Sequence, residues 1–386
     1  MKRLRGGTRS KARVQPVSEP FDSLRSLRAF DSVRPKAMSE PERGRVEWLT
    51  YKDTGVNRQA SAKLLETVGR TIRSTFTTRV LGDLGHFSGL FHLKGYTDPV
   101  LVSTIDGVGT KALLAAEAGR LDLAGRDVVV HGVNDVAVHG AAPLLMLDYI
   151  AAARLEPSAA AQVLDGMSAA CRDEGVALIG GETAQMPGVY TPQGIDIVGC
   201  VIGVVERSAI IDGSSIKPGH VLIGMVAAGL HTNGYTLARA VLAQRGWSLG
   251  DRVPELGTTW REVLLRPHRS YRRPVLALAA AGHLRGAAHI TGGGIPGNLV
   301  RILPDECRAR VKAGAWPVPA IFSILESAGK IPVEEMLSTF NMGVGMIAVV
   351  PGPRAGVAVD LCKANGAEAW VIGEIVPGER GVDLGG

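Results

Sequence analysis

From about residue 100 onward, short apolar runs alternate with stretches in which apolar positions recur at helical spacing. Val100-Leu101-Val102-Ser103-Thr104-Ile105 is a β-rich run that stops at Asp106 and a glycine loop, which predicts a strand carrying a carboxylate at its end. Val129, Val133, Val136 and Gly140 predict an amphipathic helix over 125–140. Leu164, Met167 and Cys171 predict another over 158–173, capped by Ser158. Apolar runs at 144–152, 176–179 and 195–205 read as further strands. Residues 206–220, rich in turn formers, mark a domain boundary. Strands are then expected near 221–227, 287–291, 344–350 and 369–375, with helices near 236–245, 270–281, 317–328 and 354–365. Interleaving of this kind predicts an α/β (α+β) chain in layers, with domains over 48–208 and 209–380.

The head of the chain breaks this texture. The 386 residues carry a formal charge of +6, which would suit a nucleic-acid binder if the charge were spread over a folded surface. It is not: residues 1–45 hold 12 Lys/Arg and 5 Asp/Glu, and the remainder sums to −1. Residues 1–47 therefore read as a disordered basic extension, translated upstream of an alternative start at Met38. A nucleic-acid arm and an organellar transit peptide compete with that reading, the second opposed by Glu19, Asp22 and Asp31. With a near-neutral body, no nucleic-acid partner is expected. The longest apolar runs, around 197–205 and 344–350, fall far short of the ~18 residues of a membrane span. Four cysteines without a Cys-x-x-Cys pair suit a reducing, cytoplasm-like compartment.

Glycine, 49 of 386 residues, exceeds the roughly 7% of ordinary chains without any Gly-X-Y period, so it must serve particular loops. No Walker A motif is present. A literal G-x-G-x-x-G at Gly292, Gly294 and Gly297 lacks the acid expected about 20 residues on, which argues against a nicotinamide cofactor. Asp106-Gly107-Val108-Gly109-Thr110-Lys111 is more informative. It places a carboxylate for Mg²⁺, exposed backbone N–H groups, a hydroxyl and a cation within six residues, as a metal–phosphate unit requires. A tight turn is the plain alternative. Asn134 and Asp135 fall among apolar helix positions, where an ionised carboxylate is costly unless paired or bound to a cation; a place on the helix's exposed side is the plain alternative. Gly180-Gly181-Glu182-Thr183 sets a further carboxylate in a glycine turn after a strand. His231-Thr232-Asn233-Gly234-Tyr235 lies between a strand and a helix, where a histidine either carries protons or is structural. Thr291-Gly292-Gly293-Gly294 opens a helix whose N–H groups would favour an anion such as a ribose phosphate.

Taken in this order, together with Tyr51-Lys52-Asp53-Thr54-Gly55-Val56 and Thr339-Phe340-Asn341-Met342-Gly343-Val344-Gly345-Met346, these segments resemble the phosphoribosylformylglycinamidine cyclo-ligases, or aminoimidazole ribonucleotide synthetases. The resemblance spans roughly Tyr51 to Ile375. It implies an N-terminal domain that dimerises by joining its strands to the partner's in a barrel, and a C-terminal mixed sheet with helices. It implies ATP and Mg²⁺ as cofactors and formylglycinamidine ribonucleotide as substrate, closed to aminoimidazole ribonucleotide with release of ADP and phosphate. By the same resemblance, Asp106, Asp135 and Glu182 hold Mg²⁺, and Lys52 and Lys111 neutralise phosphate charge. Gly85, His86, Phe87, Gly107, Gly109, Thr110, Asn134, Gly180, Gly181 and Thr183 surround the nucleotide. His231, Thr232, Asn233, Thr291, Gly292, Gly293 and Gly294 face the substrate, and Lys52, Asp106, Lys111, Asp135 and His231 form the catalytic set.

Three positions depart from the family's pattern: His86 replaces a glycine beside the phosphates, Gln185 stands where Glu is common, and Ala142 precedes Pro143 in place of Glu. Two other classes share parts of the pattern. A related small-molecule kinase, of the thiamine monophosphate kinase or selenophosphate synthetase type, would share the acidic phosphate sites but lack the 231–235 and 339–346 segments together. A non-catalytic binder would show salt-dependent nucleic-acid affinity and no ATP turnover.

Overall fold

The computed structural model describes Thr50, Asp53, Thr54 and residues 58–385; the basic head and Lys52 lie outside the described residues. Helix α1 (Arg58–Arg73) buries Leu64, Val68 and Ile72, spaced four apart on one face. A two-residue pair, β1 (Val80–Leu81) with β2 (Leu90–Phe91), then frames the loop that carries Gly85, His86 and Phe87. The first half continues as β3 (Pro99–Gly107), α2 (Lys111–Glu117), α3 (Leu121–Ala137), β4 (Ala142–Ala152), α4 (Pro157–Glu174), β5 (Ala177–Gln185) and β6 (Ile195–Glu206). Its strands form one sheet in the order β3-β6-β4-β5, with β4 and β5 parallel and β6 antiparallel to both its neighbours.

Helices α3 and α4 press together on one face of that sheet, and two glycines make the approach possible. A Cβ at Gly125 of α3 would lie 2.1 Å from the Val163 carbonyl oxygen, and one at Gly166 of α4 would lie 1.9 Å from that of Asp122. The backbones therefore touch directly, and α3 is buried around most of its circumference. Pro157 occupies the first helical position of α4 after Glu156, so Ser158 lies inside the first turn and is not the expected cap. Gly175, at φ 68°, ends the helix in the left-handed conformation.

The second half runs β7 (His220–Val226), α5 (Tyr235–Arg245), β8 (Arg252–Val253) paired with β9 (Thr258–Thr259), α6 (Trp260–Leu264), α7 (Arg272–Ala280), β10 (Gly286–His289), α8 (Gly294–Leu299), β11 (Cys307–Val311), α9 (Ala320–Gly329), α10 (Val333–Thr339), β12 (Val344–Pro351), α11 (Ala355–Ala364), β13 (Ala369–Pro377) and β14 (Gly381–Leu384). Six of its strands form a second sheet in the order β10-β12-β7-β13-β11-β14. Strand β12, between β10 and β7, is buried along nearly its whole length. Strand β14 pairs parallel with β11 and lies beyond residue 380, where the sequence reading ends the second domain. Neither β11 nor β14 announces itself by apolarity: in β11 only Cys307, Ala309 and Val311 turn inward, while Arg308 pairs with Asp383 of β14. Thr50–Gly386 forms a single compact unit in which the sheet changes between Glu206 and His220.

One sequence expectation changes the site. Gly180-Gly181-Glu182-Thr183 is not a turn after a strand; β5 continues through it to Gln185, in register with Leu147–Ala152 of β4. Gly181 is needed there because a Cβ would meet the Asp148 carboxylate at 2.1 Å.

Candidate active site

Strand register sets out the acidic groups before any side chain is considered. Asp106, Gly199, Asp148 and Gly181 stand in one row across β3, β6, β4 and β5. Glu182, one residue beyond that row, is three strand spacings from Asp106, about 14 Å at the usual inter-strand distance. Within one chain, Glu182 therefore does not join Asp106 and Asp135 at a single ion, and the sequence-predicted triad divides between two cavities.

The smaller cavity, about 470 Å³, is lined by Asp106, His131, Asp135, His289, Thr291, Asn298 and Arg301 among others. Asp106 comes from the end of β3; His131 and Asp135 come from one face of α3, four residues apart; His289 ends β10 of the second sheet. His131 Nε2 lies 3.0 Å from Asp106 Oδ2 and 3.8 Å from Asp135 Oδ2. His289 Nδ1 lies 2.7 Å from Asp135 Oδ1, and the Thr104 hydroxyl donates to Asp135 Oδ2 at 3.1 Å. Partial burial pushes the Asp106 carboxyl up, but the hydrogen bond and charge of His131 outweigh it and leave Asp106 below its ordinary range. Burial likewise works against Asp135, and the hydrogen bond and charge of His289 hold it below its ordinary range. Burial would lower His131, yet the Asp106 hydrogen bond and the Asp135 charge raise it. Two carboxylates kept ionised at the rim of a polar cavity are a fitting donor set for a divalent cation such as Mg²⁺.

The larger cavity, about 840 Å³, is bounded by Gly85, His86, Phe87, Gly180, Gly181, Glu182 and Thr183, with Leu64, Val68 and Leu178 at its apolar end. Phe87 is fully exposed at its edge. Asp148, which the sequence reading passed over, also lines it. Burial, aided by the charge of Glu182, pushes the Asp148 carboxyl up to about 7.

Other expected site residues are consumed by the fold. Lys111 is not free to meet a phosphate: its Nζ is buried, ion-paired with Asp127 at 2.6 Å, and donates to the carbonyl oxygens of His231 and Arg266. Asn134 is likewise occupied, its amide donating to the Arg269 carbonyl and accepting from Tyr271 N–H at 2.7 Å. His231, at φ 62°, lies in the interior, stacked on His268 with ring centroids 4.0 Å apart. Burial, then the neighbouring His289 and Lys111, hold its pKa well below the ordinary value, so it stays neutral. Thr232 is buried against His131 Nδ1 at 2.8 Å. Asn233 approaches Gly292, bringing the two expected substrate loops together. Thr291 lines the smaller cavity, but the helix after Gly293 spans only six residues. The Asn298 amide ties down the carbonyls of Thr291, Gly292 and Gly294. Gly107, Gly109 and Thr110 lead from β3 into α2 and line neither cavity; the Thr110 hydroxyl bonds that of Thr236 at 3.0 Å.

His131, His268 and His289 were missed. For His131 the signal was its spacing of four from Asp135; for Asp148 it was an acid inside the apolar run 144–152.

The arrangement defines a class before it defines an activity. Residues 90–205 match the family of AIR synthase related proteins, N-terminal domain, and residues 217–384 match their C-terminal domain. Thiamine-monophosphate kinase from Stenotrophomonas maltophilia shares the fold, with a TM-score of 0.64 and 19% identity over 83% of this chain and 95% of that one. Hydrogenase maturation protein HypE, in a structure with ATP, gives 0.61 and 18% over 86% and 93%. Curated relatives are far nearer in sequence. The phosphoribosylformylglycinamidine cyclo-ligase of Carboxydothermus hydrogenoformans is 46% identical over 340 residues, 87% of this chain and 99% of that protein. That of an Anaeromyxobacter species is 47% identical over 334 residues, 86% and 96%. The chain belongs to the phosphoribosylformylglycinamidine cyclo-ligase family, carbon–nitrogen bond-forming ligases of purine biosynthesis.

Proposed function

We propose that the chain works as a cytoplasmic homodimer that uses ATP and Mg²⁺ to close formylglycinamidine ribonucleotide into aminoimidazole ribonucleotide, releasing ADP and phosphate. The observation that carries the site assignment is the pairing of Asp106 and Asp135 across His131 and His289, at a cavity whose other wall presents Thr291, Asn298 and Arg301. The formyl oxygen is a poor leaving group. Accepting the γ-phosphoryl group makes it an iminophosphate; the amidine nitrogen then attacks that carbon, the imidazole closes, and the oxygen departs as inorganic phosphate. Such chemistry asks mainly for alignment and charge neutralisation.

Mg²⁺ bound at Asp106 and Asp135 would neutralise the transferring phosphate charge. Lys52 is assigned to phosphate charge, with Arg301 at the opposite wall of the smaller cavity. The larger cavity suits the purine: the loop of Gly85, His86 and exposed Phe87 borders it, and Gly180, Gly181 and Thr183 supply close backbone. Glu182 borders this cavity and is assigned to the nucleotide's side of the site. The Thr291–Gly294 loop, with Asn233 against it, is assigned to the ribonucleotide substrate.

The dimer reading rests on the four-stranded sheet. Thr104 and Val201 turn toward Gly132 of α3, so Ile105, Cys200 and Leu147, in the adjoining row, face the other way. On that uncovered side Leu101, Ile105 and Leu147 are 61%, 70% and 39% exposed, an apolar face suited to a second copy. ADP release measured with and without formylglycinamidine ribonucleotide tests the function. Release that ignores this substrate and follows thiamine monophosphate would favour the kinase reading.

A further inference from the structure

We propose that His268 is a positioning residue for the cation site: it grips His289 from behind, and through it fixes the orientation of the Asp135 carboxylate. The proposal rests on the reading of Asp135 as a Mg²⁺ ligand and leaves the ligands of that ion as they stand. Three side chains form the connection. Asp135 Oδ1 accepts from His289 Nδ1 at 2.7 Å, and His289 Nε2 meets His268 Nε2 at 3.0 Å. His268 is buried and lines neither cavity, so its effect on the site passes through His289.

Hydrogen-bond roles along this connection are set from its acidic end. An ionised carboxylate only accepts, so a neutral His289 spends its single proton on Asp135 and turns a lone pair toward His268. Burial, then His231 and His289, hold the His268 pKa well below its ordinary value, so this ring is neutral and carries its proton on Nε2. That leaves a lone pair on His268 Nδ1, which is buried and has no hydrogen-bond partner among the described residues. An unmet lone pair is better tolerated there than an unmet N–H. The far end is held as firmly. His268 belongs to the loop 265–271, and its backbone N–H donates to Asp127 of α3 at 2.7 Å. On either side the Arg266 carbonyl accepts from Lys111, and Arg269 and Tyr271 bind the Asn134 amide. Stacking on His231, at an interplanar angle of 19°, sets the plane of the His268 ring. The connection therefore leaves α3 at Asp127 and returns to it at Asp135, about two turns further on, by way of His289 at the end of β10. A closed circuit of this kind holds a carboxylate in place before an ion arrives, which favours binding.

The test combines histidine NMR with the Mg²⁺ dependence of ADP release, both on the full-length chain. In the ¹⁵N-histidine-labelled parent, long-range ¹H–¹⁵N spectra should show His289 as the Nδ1–H tautomer and His268 as the Nε2–H tautomer, a readout that needs no variant to fold. His268→Gln places an amide near the lost Nε2 and should keep the His289 Nδ1–H signal; His268→Leu should broaden it into exchange with solvent. In His268→Leu the Mg²⁺ concentration for half-maximal ADP release should rise about tenfold, with turnover at saturating Mg²⁺ falling far less, and His268→Gln should restore the parent's requirement. His289 found as the Nε2–H tautomer in the parent overturns the proposal. So does a His268→Leu protein that is folded and keeps the parent's Mg²⁺ requirement, or one that His268→Gln matches rather than rescues. A parent that shows both tautomers but no ADP release with formylglycinamidine ribonucleotide refutes the functional reading alone; the His289 signal in the two variants then decides the role of His268.

Discussion

Replacing Asp148 with Asn should stabilise the protein, and more so as the pH rises. Asp148 is enclosed beside Gly181, with Glu182 and the Cys171 thiol as its ionisable neighbours and no cationic partner among the described residues. Burial lifts its pKa from 3.8 to about 7, so the folded chain holds a proton that the unfolded chain releases three units lower. A raised folded-state pKa gives stability that is fully present below the unfolded value and lost as pH climbs through about 7. At 1.36 kcal/mol per unit the full effect is about 4 kcal/mol. Water reaching the carboxyl from the adjoining cavity reduces this to about 2–3 kcal/mol. Most of it develops between about pH 5 and about pH 8. Asn keeps the shape and never ionises. Urea denaturation of parent and Asp148→Asn at those two pH values measures the difference. The variant's advantage should grow by about 2 kcal/mol toward alkaline pH. An advantage equal at both values, or a loss at the higher one, would refute the assignment of a neutral carboxyl at this position.

Leu101→Glu sets a charge on the uncovered sheet face at a residue that lines neither cavity; light scattering should then report a single chain where the parent gives twice that mass, and a monomeric parent would count against the dimer. Lys111→Met leaves Asp127 buried without its cation, with the His268 N–H as its remaining hydrogen bond among the described residues, and should cost about 3–5 kcal/mol in urea denaturation. A loss of turnover without a loss of stability would return Lys111 to the phosphate. Asp106→Asn keeps shape and removes charge from an exposed position. Its melting temperature should hold while turnover falls steeply and partly recovers as Mg²⁺ is raised; parent-like turnover at low Mg²⁺ would remove Asp106 from the site.

Much of the architecture was legible because the apolar runs follow the two sheets closely: the strands expected at 144–152, 195–205, 221–227, 344–350 and 369–375 all appear within a few residues. What local pattern conceals is which polar groups spend themselves on the fold. Lys111 and Asn134 look like ligands because they are polar among apolar neighbours, but that is equally the pattern of a buried group paired with a distant partner. Theirs are Asp127 and the backbone of Arg266, His231, Arg269 and Tyr271, three of them more than 130 residues away. The same ambiguity runs the other way for His131 and Asp148, which sit in apolar stretches that read as core yet open onto the two cavities. Strand continuity is hidden for a similar reason. Gly180 and Gly181 look like a turn, but β5 needs glycine there because the neighbouring strand carries Asp148 into the space a side chain would take. The glycine and the buried acid are one device: the missing Cβ makes room for a carboxyl at the wall of the larger cavity, and the enclosure that results keeps that carboxyl protonated up to about pH 7. Substituting Gly181 would therefore disturb the cavity through Asp148, a coupling between β4 and β5 that neither segment reveals alone.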